Sequence, residues 1–165
     1  MAADRRKAAW IAIAVAAVGA FEGLRTVAYS DPVGIPTICF GETAGVRLGD
    51  RKTVEECKGL LVDSLLEAEQ TLEKCAPGIV LPDRTKAAFV SFIYNVGPGG
   101  KGVKDGFCVL KNGNPSSMLR HLVAGRYAQA CEEFPAWATA KGIPLRGLVK
   151  RRAEERQMCL DGLKP

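Results

Sequence analysis

Histidine is almost absent: His121 is the only one among 165 residues. Hydrolytic zinc sites usually take several ligands from histidine, so the scarcity argues against a metallopeptidase or metal-dependent amidase. No C-x-x-C pair occurs, which removes zinc ribbons and thioredoxin-like redox motifs. There is no Walker loop, no G-x-G-x-x-G after a strand and no metal-ligand spacing, so neither cofactor nor metal is expected. Aromatic residues are only 7% of the chain, and no nucleic-acid-binding motif is recognisable, so no nucleic-acid partner is expected. Repeats, low-complexity tracts and long linkers are missing.

Apolar residues make up 47% of the chain and charged residues 25%. That is a globular composition, long enough for one domain, or for two small lobes sharing a helix, with a substantial core. The net charge of +5 is concentrated at the C-terminal end. Lys141, Arg146, Lys150, Arg151, Arg152, Arg156 and Lys164 face only Glu154, Glu155 and Asp161 there. Such a segment reads as a solvated basic face or a surface for polyanions, an anionic cell-envelope polymer among them.

Six cysteines, Cys39, Cys57, Cys75, Cys108, Cys131 and Cys159, are dispersed along the chain. An even, scattered set suits disulfides in an oxidising compartment such as a periplasm; buried free thiols are the alternative. Spacing alone does not choose among the pairings. The expectation adopted is nearest in sequence: Cys39–Cys57, Cys75–Cys108 and Cys131–Cys159.

Arg5, Arg6 and Lys7 form a basic start, followed by the wholly apolar run Ala8–Phe21. The pattern has the shape of a signal peptide, with small residues at Val18 and Ala20 near a possible cleavage point. Yet 14 residues make a helix only about 21 Å long, whereas a membrane span needs roughly 20 apolar residues. A run so rich in alanine enters a bilayer marginally and can leave it. The same run also reads as a buried core helix, and the two states are compatible in turn.

Residues 6–28 read as one helix. Gly34, Gly41 and Gly45 punctuate a short hairpin or small sheet between about 29 and 46. Thr53, with Glu55 and Glu56 after it, is a helix start, and Leu60, Leu61, Leu65, Leu66, Ala68 and Leu72 carry helical periodicity over 54–74. A further helix opens at Asp83 and ends in the flexible loop Gly97-Pro98-Gly99-Gly100. Shorter helices are expected at 114–124, 127–138 and 146–160, with Phe89, Phe92, Phe134 and Trp137 in the core and Trp10 either packed or at a membrane interface. The fold class is α+β: a small N-terminal lobe with a short sheet, a long connecting helix and a helical C-terminal lobe, with a cleft between the lobes.

The stretch that carries chemistry runs from Glu22 to Thr37. Glu22, beside Phe21 and Leu24, is expected to lose hydration, hold its proton and act as a general acid. Asp31, in a wetter Tyr-Ser-Asp-Pro turn, stays ionised. Two carboxyls in opposed settings are the tools of glycosidic cleavage, and the Thr37 hydroxyl is suited to holding a water.

The stretch resembles the phage lysozyme family of glycoside hydrolases. The family pattern is a Glu, eight residues, an Asp, five residues and a Thr, matched by Glu22, Asp31 and Thr37; the tetrapeptide Glu22-Gly-Leu-Arg25 matches as well. Ser91-Phe-Ile-Tyr-Asn-Val-Gly97 is similar to the family's cleft-facing helix end, and Gly147–Arg156 to its last helix. The likeness spans nearly everything from Phe21 onward. It implies a lysozyme-like domain over 22–165 that hydrolyses the β-1,4 bond between N-acetylmuramic acid and N-acetylglucosamine in peptidoglycan. It assigns Glu22 as acid, Asp31 and Thr37 to the attacking water with inversion at the anomeric carbon, and Gly41, Tyr94 and Asn95 to the substrate wall. One departure stands out: Gly41-Glu42 replaces the family's Gly-His pair, which implies a changed local hydrogen bond and unchanged chemistry.

Cysteines and an apolar leader resemble the exported, signal-arrest-release branch of phage endolysins. That implies a basic region at 1–7, a segment at 8–21 held transiently in the inner membrane and never cleaved after Ala20, and a monomer that reaches the host periplasm. Three rival readings are a lytic transglycosylase, a Cys–His peptidase using His121, and a non-enzymatic basic module that disrupts membrane or wall.

Overall fold

The computed structural model describes the backbone of residues 2–140 and 142–165, with side chains from Ala9 onward except residue 140. The basic side chains expected at Arg5, Arg6, Lys7 and Lys141 lie outside the described residues.

Helix α1 (Ala2–Glu22) contains the apolar run. Trp10, Ala14 and Val18, spaced four apart, form its buried face, while Ala12, Ala16 and Ala20 face solvent on the opposite side. Only methyl groups are therefore wetted along that stripe. Lys86 Nζ sits 4.9 Å from the Trp10 ring centroid and is held there by Glu69 at 2.5 Å. Among the described residues no helix is long and apolar enough to cross a membrane.

The helix expected over 6–28 stops at Glu22. Gly23 takes a left-handed conformation, φ +70°, which ends helices at low steric cost. The next residues enter a sheet instead: β1 (Arg25–Ser30) pairs antiparallel with β2 (Pro36–Cys39), Tyr29 opposite Thr37 and Arg25 opposite Cys39. On its other edge β1 bonds the 50–52 segment, through Ala28 N–H to Asp50 O at 2.9 Å and Lys52 N–H to Thr26 O at 3.0 Å. Both edges of this stretch are thus hydrogen-bonded, which a continuing helix would forfeit.

Helix α2 (Val54–Cys75) begins with a capping box in which Thr53 and Glu56 exchange side chain-to-backbone bonds, satisfying two donors that a helix start leaves open. Helix α3 (Asp83–Val96) is the hub, packed by α1, by α2 and by the last helix, α6 (Arg146–Gly162). Phe89 and Phe92 on α3 meet Phe134 at 5.5 and 5.3 Å between centroids, and Trp137 stands edge-on to Phe92 at 5.2 Å. The expected aromatic core is present.

The loop after α3, expected to be flexible, is tightly built. Phe107, Cys108 and Val109 donate back to Gly97 and Pro98 at 3.0–3.1 Å. A Cβ on Gly99 would fall 1.9 Å from the Val109 carbonyl oxygen; glycine lets the two strands of the loop cross. Beyond it lie α4 (Ser117–Val123), opened by Ser116, and α5 (Tyr127–Glu132). The helix expected over 127–138 is split: Pro135 begins a separate 3₁₀ turn, Phe134–Trp137. A two-residue ladder, β3 (Thr139–Ala140) against β4 (Ile143–Pro144), was not legible in the sequence.

All three disulfides join nearest neighbours in sequence, as expected. Cys39–Cys57 ties β2 to α2, Cys75–Cys108 ties the end of α2 to the crossed loop, and Cys131–Cys159 ties α5 to α6. No cysteine is free.

Candidate active site

Glu22 is the last residue of α1, and its position follows from the helix stop at Gly23. Its side chain keeps 27% of its surface exposed. It lies between two depressions. One, of about 300 Å³, is lined by Phe40, Gly41, Glu42, Thr43, Tyr94 and Asn95. The other, of about 480 Å³, is bordered by Phe21, Asn95, Leu148, Lys150, Arg151 and Glu154. Asn95 and Leu148 also border a third cavity of about 600 Å³ lined by Trp137 and Asp105. These shared walls make one groove, with Glu22 opening into its first two parts.

The apolar sheath expected around Glu22 is absent. Instead Arg151 Nη1 donates to Glu22 Oε1, so the setting is an ion pair rather than a dehydrated pocket. Gly41 takes φ +102°, a conformation that favours glycine, and a Cβ there would stand in ordinary contact, 3.9 Å from Glu22 Oε2 and 4.0 Å from the Tyr94 hydroxyl. Tyr94 donates its hydroxyl to Phe40 O at 2.8 Å. Burial, reinforced by the carboxylates of Glu22 and Glu42, pushes its phenol well above the ordinary tyrosine range. The structure thus brings Glu22, Gly41, Tyr94 and Asn95 together.

Asp31 and Thr37 sit at the other end of the hairpin, flanking the pair Ser30–Pro36. Neither borders the two cavities that Glu22 lines. Asp31 Oδ1 accepts from Val33 N–H at 3.0 Å and Ile35 N–H at 2.8 Å, the polar turn that the sequence suggested. Thr37 is buried and donates its hydroxyl to Ile35 O at 3.0 Å, so what it has left to offer is acceptor capacity. Glu42, at the departure from the family's histidine, accepts from Ser64 Oγ at 2.8 Å and anchors the loop to α2.

The fold divides the basic C-terminal segment and leaves Arg146, Lys150 and Lys164 in solvent. Arg151 and Arg152 are buried, and Glu155 beneath them is 0% exposed. Glu155 Oε1 accepts from Ser91 Oγ at 2.7 Å and Arg151 Nε at 3.1 Å; its Oε2 accepts from Arg152 Nη1 at 2.5 Å. Arg152 Nη2 reaches on to Asn95 Oδ1. Burial pushes the Glu155 carboxyl above the ordinary carboxylate range, while the two guanidiniums and the Ser91 hydroxyl oppose the rise. Burial also pulls Arg152 down to about 10, against the pull of Glu155. Arg156 is engaged by Glu132 at 2.6 and 2.8 Å. The sequence did not single out Glu155 or Ser91 as site residues. Its one signal was an acid three and four residues after two arginines, on a helix with few apolar residues.

His121 lies on α4, accepting from Arg126 Nε at 3.0 Å through Nδ1. With every cysteine in a disulfide there is no thiolate for it to activate, so the peptidase reading falls.

The family model for phage lysozyme matches residues 19–155. A SAR-endolysin of Pseudomonas phage phiKMV is 33% identical over 159 residues, 94% of this chain and 91% of that relative. The crystal structure of the active form of P1 phage endolysin Lyz superposes with a TM-score of 0.77 at 31% identity, covering 90% of this chain and 83% of that one. The muramidase domain of SpmX from Asticaccaulis excentricus superposes with a TM-score of 0.73 at 27% identity, covering 93% of this chain and 96% of that one. The matched family residues run from the last turn of α1 to Glu155, through the whole groove: the chain belongs to the phage lysozyme family.

Proposed function

We propose that this chain is a phage endolysin that hydrolyses the muramic acid–glucosamine bond of peptidoglycan, with Glu22 as the general acid. The observation that carries the reading is the place of Glu22: at the end of a helix with one face in the core, open to the groove, gripped by Arg151 and flanked by Gly41, Tyr94 and Asn95. In this reading Glu22 gives its proton to the leaving glycosidic oxygen. Asp31 and Thr37 accept hydrogen bonds from a water, whose oxygen attacks the anomeric carbon on the opposite face of the sugar, with inversion, as one of its protons passes to the Asp31 carboxylate. The remaining acceptor capacity of Thr37 and the Asp31 carboxyl, oriented by two backbone N–H groups, suit that task. Asn95 and Gly41 form the wall against which the sugars lie.

The export route belongs to the same proposal. Relatives bear the name SAR-endolysin, and the run at 8–21 is apolar all round with only small residues on its wetted stripe. Held in the inner membrane, residues 8–21 keep Glu22 from Arg151 and from the groove. Released into the periplasm, they pack Trp10, Ala14 and Val18 on the core and deliver Glu22. The folded enzyme acts as a monomer.

Glu22→Gln tests the reading. It keeps the size and loses the proton, so lysis of purified peptidoglycan should fall by at least the ~10²–10⁴-fold that acid–base catalysis supplies. Lysis that persists in that variant would instead support a disruptive, non-enzymatic module.

A further inference from the structure

Beneath the groove, one buried carboxylate organises both arginines that touch it. Glu155 lies one helical turn after Arg151 and Arg152 on α6, so all three project from one side of the helix. From its two oxygens the arrangement divides: one guanidinium continues to Glu22 and the other to Asn95. Each guanidinium is also laid against a ring, Arg151 at 5.0 Å from the Phe21 centroid and Arg152 at 4.8 Å from that of Phe92. Ser91 locks the apex from α3, through its hydroxyl to Glu155 and its carbonyl to Arg151 Nη2 at 3.3 Å.

We propose that Glu155 is a positioning residue for the hydrolytic site, aiming Arg151 at Glu22 and Arg152 at Asn95 from below the groove. The inference rests on the reading of Glu22 as the acid and adds to it how that acid is held. A cluster kept only for stability would gain little from this design. Buried ion pairs of similar volume are often replaced by apolar groups at no cost, and Arg152 Nε finds no partner among the described residues. What the cluster does supply is direction, because its two outer arms end on groove residues.

It also supplies charge balance. Glu22 and Glu155 set two carboxyl groups against the two guanidiniums of Arg151 and Arg152. Glu22 is faced by Arg151, Lys150 and Glu154 from α6, by Tyr94 and Asn95 from α3, and by Glu42 from the loop after β2. With Glu155 neutralised, Arg151 is shared with no other carboxylate. Its grip on the anionic form of Glu22 tightens, and a proton donor becomes harder to keep as pH rises.

The test uses the full chain on soluble, uncross-linked peptidoglycan strands, with kcat, KM and thermal midpoint measured across pH for Glu155→Gln, Glu155→Asp and Glu22→Gln. Glu155→Gln should lower kcat by roughly 10- to 100-fold, the scale of a misplaced catalytic group, with a smaller change in KM. The alkaline side of its activity profile should move to lower pH by roughly one unit, the order of effect of one nearby charge. Glu155→Asp keeps the charge but shortens the reach, so it should lose kcat while keeping the profile of the parent. Parent-like kcat and pH profile in Glu155→Gln, even with a lower thermal midpoint, would overturn the inference. If Glu155→Gln does not fold, parent-like kcat in Glu155→Asp overturns it. Full activity of Glu22→Gln would instead remove the underlying assignment of the acid, whatever Glu155 does.

Discussion

Tyr94 shows how one side chain serves both the frame and the groove. Its hydroxyl pins the Phe40 carbonyl, which holds the turn at Gly41 against Glu22. Because the folded phenol ionises at higher pH than the ordinary value of 10.0, the folded state holds this proton more tightly than the unfolded state. Its contribution to stability is therefore complete below about pH 10 and falls as pH rises past it. Chemical denaturation between pH 9 and 11 should show a steeper loss in the parent than in Tyr94→Phe. That variant should itself be weaker at neutral pH by about 1 kcal/mol, for one lost hydrogen bond. Parallel slopes would contradict the account. Among single residues, Glu22, Asp31 and Thr37 were singled out together because their spacing lies within 16 residues of chain; the fold sets Glu22 on the groove, while Asp31 and Thr37 border neither of its cavities. Arg151 was not, because its partner Glu22 lies 129 positions away and nothing local distinguishes a buried arginine from a solvated one. For the same reason Glu22 was expected in an apolar pocket: its sequence neighbours are apolar, but its spatial neighbour is a cation.

Among the elements, α2 and α3 were readable from periodicity and from the cap at Thr53, because local signals and tertiary packing agree there. The end of α1 was misread. Leu24, Val27 and Ala28 continue an apolar pattern that suits either state, and the choice is made by backbone partners at 50–52 that sequence proximity does not reveal. The crossed loop after α3 was likewise underestimated, since its glycines permit close backbone approach rather than disorder. The length of α1 has a further consequence. Removing the chain up to Ala20 would delete the buried face formed by Trp10, Ala14 and Val18 and leave Glu22 as the second residue. Loss of a buried Trp side chain alone costs about 3–5 kcal/mol, a large share of the roughly 5–15 kcal/mol that holds a domain folded. Intact-mass and N-terminal analysis of enzyme recovered active from bacteria should therefore find residues 8–21 retained. A fully active product beginning at Phe21 would refute the dual role of this helix.

At the scale of the whole molecule, three disulfides close loops of 18, 33 and 28 residues. They join the hairpin, the crossed loop and α5 to the long helices, and each removes freedom mainly from the unfolded chain. This framework suits an enzyme that folds outside the reducing cytosol. It leaves the groove between frames that are individually tied, with α1 as the element that enters last in the proposed route. The α+β architecture was legible as a whole because composition and helix periodicity agreed; the disulfide pairs match the nearest-neighbour expectation, which spacing alone did not select. The continuity of the groove was not, since it depends on Asn95 and Leu148 being shared by neighbouring cavities. The central claim is that water completes the cleavage that Glu22 begins. Digestion of peptidoglycan in ¹⁸O-labelled water, followed by mass spectrometry of the fragments, tests it most directly. The account predicts reducing muramic acid ends carrying one ¹⁸O; unlabelled anhydro-muramic acid ends would contradict it.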